Sequence, residues 1–153
     1  MRRADKEIKS KKEIEWILQE AKILRISFSK DNRPYLVPMN FGYDGNCIYL
    51  HSAPEGHKID ILKKNNRVCF EVDVRTQIVG DSKPCNWGMR YYSVIGFGRA
   101  HFLDEIKDKR DAINVIMKKY SPESSFKYSS RDLEGVTIIK IEIDKLTGKK
   151  SGY

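Results

Sequence analysis

Cysteine is scarce in this chain. Cys47, Cys69 and Cys85 make an odd count with no CxxC pair, which argues against a disulfide framework or a zinc ribbon. His51 and His57 stand at spacings from Cys47 and Cys69 that match no zinc pattern, so no metal site is expected and the strand cysteines read as core residues. Cys85 lies in a loop with no base supplied by its neighbours, which leaves thiolate catalysis without support. Long apolar runs are missing as well: none approaches the roughly 18–20 residues of a membrane span. The N-terminal stretch is too charged to hold the apolar region of a signal peptide. A soluble, cytoplasmic domain with no membrane partner is the expectation. Gly96-Phe97-Gly98 lacks the third glycine and the helix start of a dinucleotide fingerprint, so a Rossmann site is not expected either.

Positive charge is abundant but not concentrated. Twenty-nine Lys and Arg against twenty-one Asp and Glu give +8. The basic residues alternate with acids, as in Lys6-Glu7, Lys11-Lys12-Glu13 and Asp108-Lys109-Arg110-Asp111. That is the pattern of a solvated mixed-charge surface, and no basic arm or RNA-binding aromatic signature accompanies it. No nucleic-acid partner is expected.

The chain is rich in core-forming residues. Its 153 residues, with two Trp, eight Tyr and six Phe, predict a single domain over 1–153. Area scaling gives about 8,000 Å² of folded surface against about 26,000 Å² unfolded, so about two thirds is buried without staples.

Periodicity supplies the elements. Ser10-Lys11-Lys12-Glu13 has capping-box spacing, and Ile14, Ile17, Leu18 and Ala21 follow on one helical stripe. Trp16 lies off that stripe, which predicts a contact on a second side of the helix. The period then changes to two. Leu24, Ile26 and Phe28 predict a strand, and Tyr35, Val37, Met39, Phe41 and Tyr43 predict another over nine residues. Pro38 inside that strand requires an edge, a bulge or a ligand on its N–H side. Asp44-Gly45 turns into a strand over Cys47–Ser52. A short helix is expected from His57 to Asn65, a strand over Val68–Val74, and a polar loop over Gly80–Gly88. A long strand follows over Met89–Leu103, bent at Gly96 and Gly98. A helix from Asp104 to Tyr120, with Asp104 as its cap, leads through a polar connector (Ser121–Arg131) to a last strand over Val136–Ile143. Six strands, mostly hairpin-linked, with helices only at the interruptions, predict a mainly β fold: a small antiparallel barrel with flanking helices.

Two segments carry chemistry. His51-Ser52-Ala53-Pro54-Glu55-Gly56-His57-Lys58 ends a strand in a hydroxyl, breaks at glycine and restarts as a helix with lysine in its first turn. Hydroxyl, ammonium and free N–H groups together suit a phosphate; an ordinary strand-to-helix loop with a solvated lysine has the same pattern. Cys85 to Gly98 sets Arg90 and Ser93 among aromatics after a flexible loop. Such a surface suits a flat, partly polar heterocycle or a subunit interface, and equally a core strand with an aromatic outer face.

Taken in order, Met1-Arg2-Arg3 with Asp5, Pro34-Tyr35-Leu36-Val37-Pro38-Met39-Asn40-Phe41-Gly42-Tyr43, the His51–Asp60 segment, Val68–Asp73 and Arg90–Gly98 resemble the pyridoxamine 5′-phosphate oxidase-like flavin-binding split-barrel superfamily. Within it the chain is most similar to the nitroimidazole-resistance (Nim) branch. The resemblance covers nearly the whole chain. It implies a six-stranded antiparallel split barrel, a homodimer, and FMN at the subunit interface. It places Val37, Pro38, Met39 and Asn40 along the flavin ring, His51, Ser52 and Ala53 near the ribityl chain and phosphate, and Lys58 on the phosphate. Glu71 would lie on the neighbouring strand face, while Trp87, Arg90, Tyr91 and Ser93 would complete the site across the dimer. The implied activity is that of an oxidoreductase reducing a small, flat, electron-poor acceptor such as a nitroimidazole or nitroaromatic. His51 or His57 is then a candidate catalytic proton donor, or a structural hydrogen-bonding group. A non-catalytic flavin or haem binder (sensor, carrier or storage protein) is the other reading. The oxidase's arginine-rich phosphate motif and C-terminal substrate segment are not found, so the resemblance does not extend to pyridoxamine phosphate oxidation.

Overall fold

Ser10 begins the first helix as its spacing predicts. Its hydroxyl accepts a hydrogen bond from Glu13 N at 3.3 Å, and α1 (Lys11–Glu20) buries Ile17 and Leu18. The Glu13 carboxylate turns to Lys150 at 3.3 Å. Trp16, off the buried stripe, meets Tyr92 edge-on at 5.3 Å and lies under the Arg75 guanidinium at 4.8 Å.

The protein is described by a computed structural model covering residues 3–123 and 126–153; Met1 and Arg2, which contribute to the family resemblance, lie outside the described residues. The strands are β1 (Glu7–Ile8), β2 (Leu24–Lys30), β3 (Arg33–Met39), β4 (Gly42–Tyr43), β5 (Cys47–Ser52), β6 (Arg67–Val79), β7 (Gly88–Leu103) and β8 (Thr137–Ser151). The remaining helices are α2 (His57–Leu62), α3 (Ile106–Tyr120) and α4 (Ser130–Glu134). The hydrogen-bonded order is β3-β2-β6-β7-β8-β5-β4, with β1 beside β8, and the pairing is antiparallel throughout. The two edge strands, β3 and β4, are separated in sequence only by Asn40 and Phe41. The sheet therefore curls until its edges lie a few residues apart without pairing, which is consistent with a split barrel.

Among the described residues the strand count is eight, not six. The six long strands are the expected ones, and the additional two are the two-residue β1 and β4. β4 exists because the Tyr35–Tyr43 alternation is broken at Asn40-Phe41. The Tyr120 hydroxyl accepts from Phe41 N at 2.9 Å and donates to Lys22 O at 2.8 Å, holding the crossing between the two edges. Gly42 permits that crossing, since a Cβ there would stand 2.7 Å from the backbone of Ile116 in α3. β8 runs on to Ser151 instead of stopping at Ile143. After a register shift at Phe97/Gly98 its distal half pairs with Tyr91–Phe97. At the bend, a Cβ on Gly96 would overlap the Phe70 ring.

Helix ends differ from expectation by a few residues. α2 stops at Leu62, and α3 starts at Ile106 behind Glu105, with no side-chain cap from Asp104. The connector before β8 contains α4, whose N-terminus is a reciprocal capping box between Ser129 and Asp132. The core gathers Leu24, Ile26 and Phe28 of β2, Ile48 and Leu50 of β5, Phe70 and Val72 of β6, and Ile139 and Ile141 of β8 under α1 and α2. Each such side chain contributes about 1.5–3 kcal/mol relative to exposure. Among the described residues, no helix is long and apolar enough to cross a membrane.

Candidate functional site

Alternation along β5 carries Ser52 inward. Ile48, Leu50 and Ser52 share the buried side, and Ser52 is 7% exposed with its hydroxyl lacking a hydrogen-bond partner among the described residues. The chain then passes through exposed Ala53, Pro54 and Glu55 to Gly56, whose φ of +128° an L side chain would resist. α2 begins immediately with His57 and Lys58. Lys58 is half-buried and makes no ion pair among the described residues. The His57 ring stands edge-on to Tyr35 of β3 at 4.8 Å. That contact brings the first turn of α2 against β3.

Among the described residues β3 is an edge strand, paired only with β2. Val37 and Met39 pack on the core, while Pro38 and Asn40 are exposed. The free side of β3 presents unpaired backbone groups, and Pro38 fits there because its missing N–H costs no ladder bond.

His51 faces the opposite way from Ser52 and is exposed. With Asn40 it lines a cavity of about 310 Å³ whose other walls include Met117 and Tyr120 of α3, Tyr128, and Asp132 of α4. His57 does not reach this cavity. Sequence reasoning missed Tyr128 and Asp132, although the Ser129-x-x-Asp132 spacing was the available signal for a capped helix beside them.

The remaining expected site residues form a second group. Glu71 lies on the outward face of β6, where Arg25 Nη1 approaches it at 3.3 Å and Asp73 at 2.5 Å. Burial and the neighbouring Asp73 carboxylate push its pKa up, against the pull of Arg25. Ser93 on β7 is opposite Asp73 on one side and Lys149 on the other. Tyr91 lies under the Lys149 ammonium at 5.2 Å. Arg90 is exposed, and the exposed Trp87 donates its indole N–H to Asp81 O at 2.6 Å. His51 pairs with Ile138, and Ile138 with Leu103. Ser93 and Leu103 are separated along β7 by a contour of about 33 Å. That separation sets Ser93, and with it Tyr91, Arg90 and Trp87, apart from the His51 cavity along the strand, whereas Glu71 lies in the same cross-strand row as Pro38 and Arg25.

Ser52 and Lys58 fit a phosphate-bearing cofactor, since a buried unpartnered hydroxyl and an unpaired ammonium are complementary to phosphate oxygens. Among the described residues no group of three or more His, Cys, Asp or Glu is gathered for a metal ion.

The family model described as pyridoxamine 5′-phosphate oxidase matches residues 10–150. The chain belongs to that family. Within the pyridoxamine 5′-phosphate oxidase family, it is similar to the solved structure of a candidate 5-nitroimidazole antibiotic resistance protein of Bacteroides thetaiotaomicron. That similarity is 35% identity over 94% of this chain and 86% of the other, with a TM-score of 0.85. It is also similar to an FAD-binding protein of Mesorhizobium loti, 25% identical over 94% of this chain and 96% of the other, TM-score 0.69. An FAD and haem binding protein of Mycobacterium smegmatis, 17% identical over 97% of this chain and 74% of the other, shares the fold at a TM-score of 0.87. A curated relative, an uncharacterised protein of Rhizobium meliloti, is 29% identical over 65 residues, a match spanning 42% of this chain and 42% of that protein.

Proposed function

We propose that this member of the pyridoxamine 5′-phosphate oxidase family is an FMN-binding oxidoreductase. In this reading it acts as a homodimer and reduces small, electron-poor acceptors such as nitroimidazoles and nitroaromatics. The observation that carries the reading is Ser52, a buried hydroxyl without a partner among the described residues, on the strand that leads into Lys58. Leaving such a group unsatisfied costs about 1–3 kcal/mol, and a phosphate oxygen removes that cost by accepting from it. The Lys58 ammonium supplies the opposite charge, and the free edge of β3 supplies backbone groups for a flat ring. When bound, the flavin supplies the hydride or electron transfer. The chain's own residues bind and orient it. His51, beside Asn40 on the cavity, holds a ring-nitrogen proton for an acceptor; His57 stands edge-on to the Tyr35 ring and does not line that cavity. The similarity to the Bacteroides protein supports the acceptor class, and the similarity to the Mesorhizobium protein supports a flavin.

The test is titration of the purified protein with FMN and with FAD, read in the flavin visible bands. NADH and NADPH consumption is then measured with 2-methyl-5-nitroimidazole against the same concentration of free FMN. FMN binding with turnover above free FMN is expected. Binding without added turnover would favour a non-catalytic flavin or haem binder, and no flavin affinity in folded protein would defeat both the enzyme and the flavin carrier.

A further inference from the structure

We infer that the cavity between α3 and α4 binds an uncharged, flat organic molecule through the hydroxyl of Tyr128. Its identity as the reducible acceptor rests on the flavoprotein reading, but its binding does not. At about 310 Å³ the cavity lies at the small end of ligand pockets, which begin near roughly 300 Å³. Met117, Leu133 and Val136 make its walls apolar.

The polar atoms decide the chemistry. The Tyr120 hydroxyl is already engaged by Phe41 N and Lys22 O. The Asp132 carboxylate accepts from Ser129 N at 2.9 Å and from Ser129 Oγ at 2.7 Å. Those bonds hold its pKa below the usual carboxylate value, so it is an anion at neutral pH. Tyr128 Oη is buried and has no partner among the described residues, and burial raises its pKa, which keeps it a donor. Among the described residues no Lys or Arg lines the cavity. With Tyr128 Oη, the Asn40 amide and the His51 ring as donors, one anionic wall and no Lys or Arg among the described lining residues, the cavity favours a neutral molecule bearing an acceptor atom such as a nitro or carbonyl oxygen. The same arrangement disfavours phosphates and carboxylates, because a charge desolvated there meets the Asp132 carboxylate and finds no Lys or Arg among the described residues. A phosphorylated pyridoxamine is therefore a poor occupant.

Two probes of the same size separate charge from shape: 4-nitrobenzyl alcohol and 4-nitrobenzoate. Each is titrated calorimetrically into the full chain with FMN and again without it. The alcohol is expected to bind at least about tenfold tighter than the acid. Tyr128→Phe should weaken the alcohol about tenfold, one hydrogen bond's effect. Its melting temperature should stay level or rise, because the deleted hydroxyl has no partner among the described residues. Met117→Trp, which fills the cavity, should abolish binding of the alcohol both with and without FMN while the far-UV spectrum stays native. Equal affinity for both probes, no binding of the alcohol to folded protein, or binding indifferent to both substitutions would overturn the assignment. Alcohol binding without any FMN binding would sink the flavoprotein reading and leave the cavity standing. FMN binding without alcohol binding would do the reverse.

Discussion

Ser52 keeps the two-residue period of Ile48 and Leu50, so β5 pulls a hydroxyl to a position otherwise suited to an apolar side chain. Stability and binding then make opposite demands on this residue. Ser52→Ala removes an unpartnered buried hydroxyl and should stabilise the flavin-free protein by about 1 kcal/mol, read by urea unfolding. The same change should weaken FMN roughly tenfold; a loss of stability with unchanged FMN affinity would make Ser52 structural. Lys58→Ala is expected to weaken FMN roughly 10–100-fold, the effect of one charge-assisted hydrogen bond. Unfolding should barely move, because Lys58 has no ion pair among the described residues to lose. The strand end, the glycine break and the helix restart were legible here because a serine-ended strand, a glycine and an early lysine are all local features; the phosphate reading built on them is a proposal. The cavity was not legible. Met117 and Tyr120 follow the helical stripe of α3 and read as core, and Tyr128 sits in a connector with no period of its own.

Elements were legible wherever the two-residue alternation changes at a turn, which covers all six long strands. The break between β3 and β4 was not, because Tyr35, Val37, Met39, Phe41 and Tyr43 alternate without interruption. What interrupts them is the hydroxyl of Tyr120, which receives Phe41 N across 79 residues of sequence. Tyr120→Phe removes both hydrogen bonds of that crossing and should cost about 1–3 kcal/mol in denaturant unfolding. The adjacent Lys119 ties α3 to the end of α1. Its ammonium donates to Leu18 O at 2.5 Å and Gln19 O at 3.0 Å and lies 4.1 Å from the centre of the Phe41 ring. Burial, with help from Lys22, pulls its pKa from 10.5 down to about 8. The unfolded chain then binds this proton more tightly than the fold does. Between about pH 8 and 10.5 unfolding takes up a proton, so raising the pH through that window stabilises the fold, and below it the full cost of the buried charge is present. Lys119→Met should lack this increment. The difference in unfolding free energy between wild type and variant should therefore shift in favour of wild type from pH 8 to 10.5, and a constant difference would show that Lys119 titrates normally.

At the scale of the whole molecule, the outward face of the sheet departs from apolar-in, polar-out alternation. Leu36 is 61% exposed, Ile95 44% and Phe97 50%. Pairing aligns Leu36, Ser27, Cys69 and Phe97 in one row, and Pro38, Arg25, Glu71 and Ile95 in the next. The apolar residues thus form a patch around the Arg25–Glu71–Asp73 ion cluster, the kind of surface that marks an interface. Ser93 and Tyr91 continue from this patch along β7, with Trp87 just before the strand, away from the His51 cavity of their own chain. In the homodimer we propose, a second copy packed on this face brings its own β7 residues to the first copy's β3 edge, so each flavin is held by both chains. FMN must then favour the dimer, because a ligand that binds only the assembled form draws the equilibrium toward it. Light scattering on wild type, Ser93→Arg and Phe97→Glu, each with and without FMN, tests the arrangement. Wild type should be a dimer that FMN tightens. Both substitutions put a charge into a desolvated face and should yield monomers with weakened FMN affinity, while their far-UV spectra stay native because neither side chain belongs to the core. A wild-type monomer with FMN bound would show that one chain suffices for the site. Dimers of unchanged FMN affinity in both variants would move the interface off this face, and the exposed Phe97 would then need another explanation.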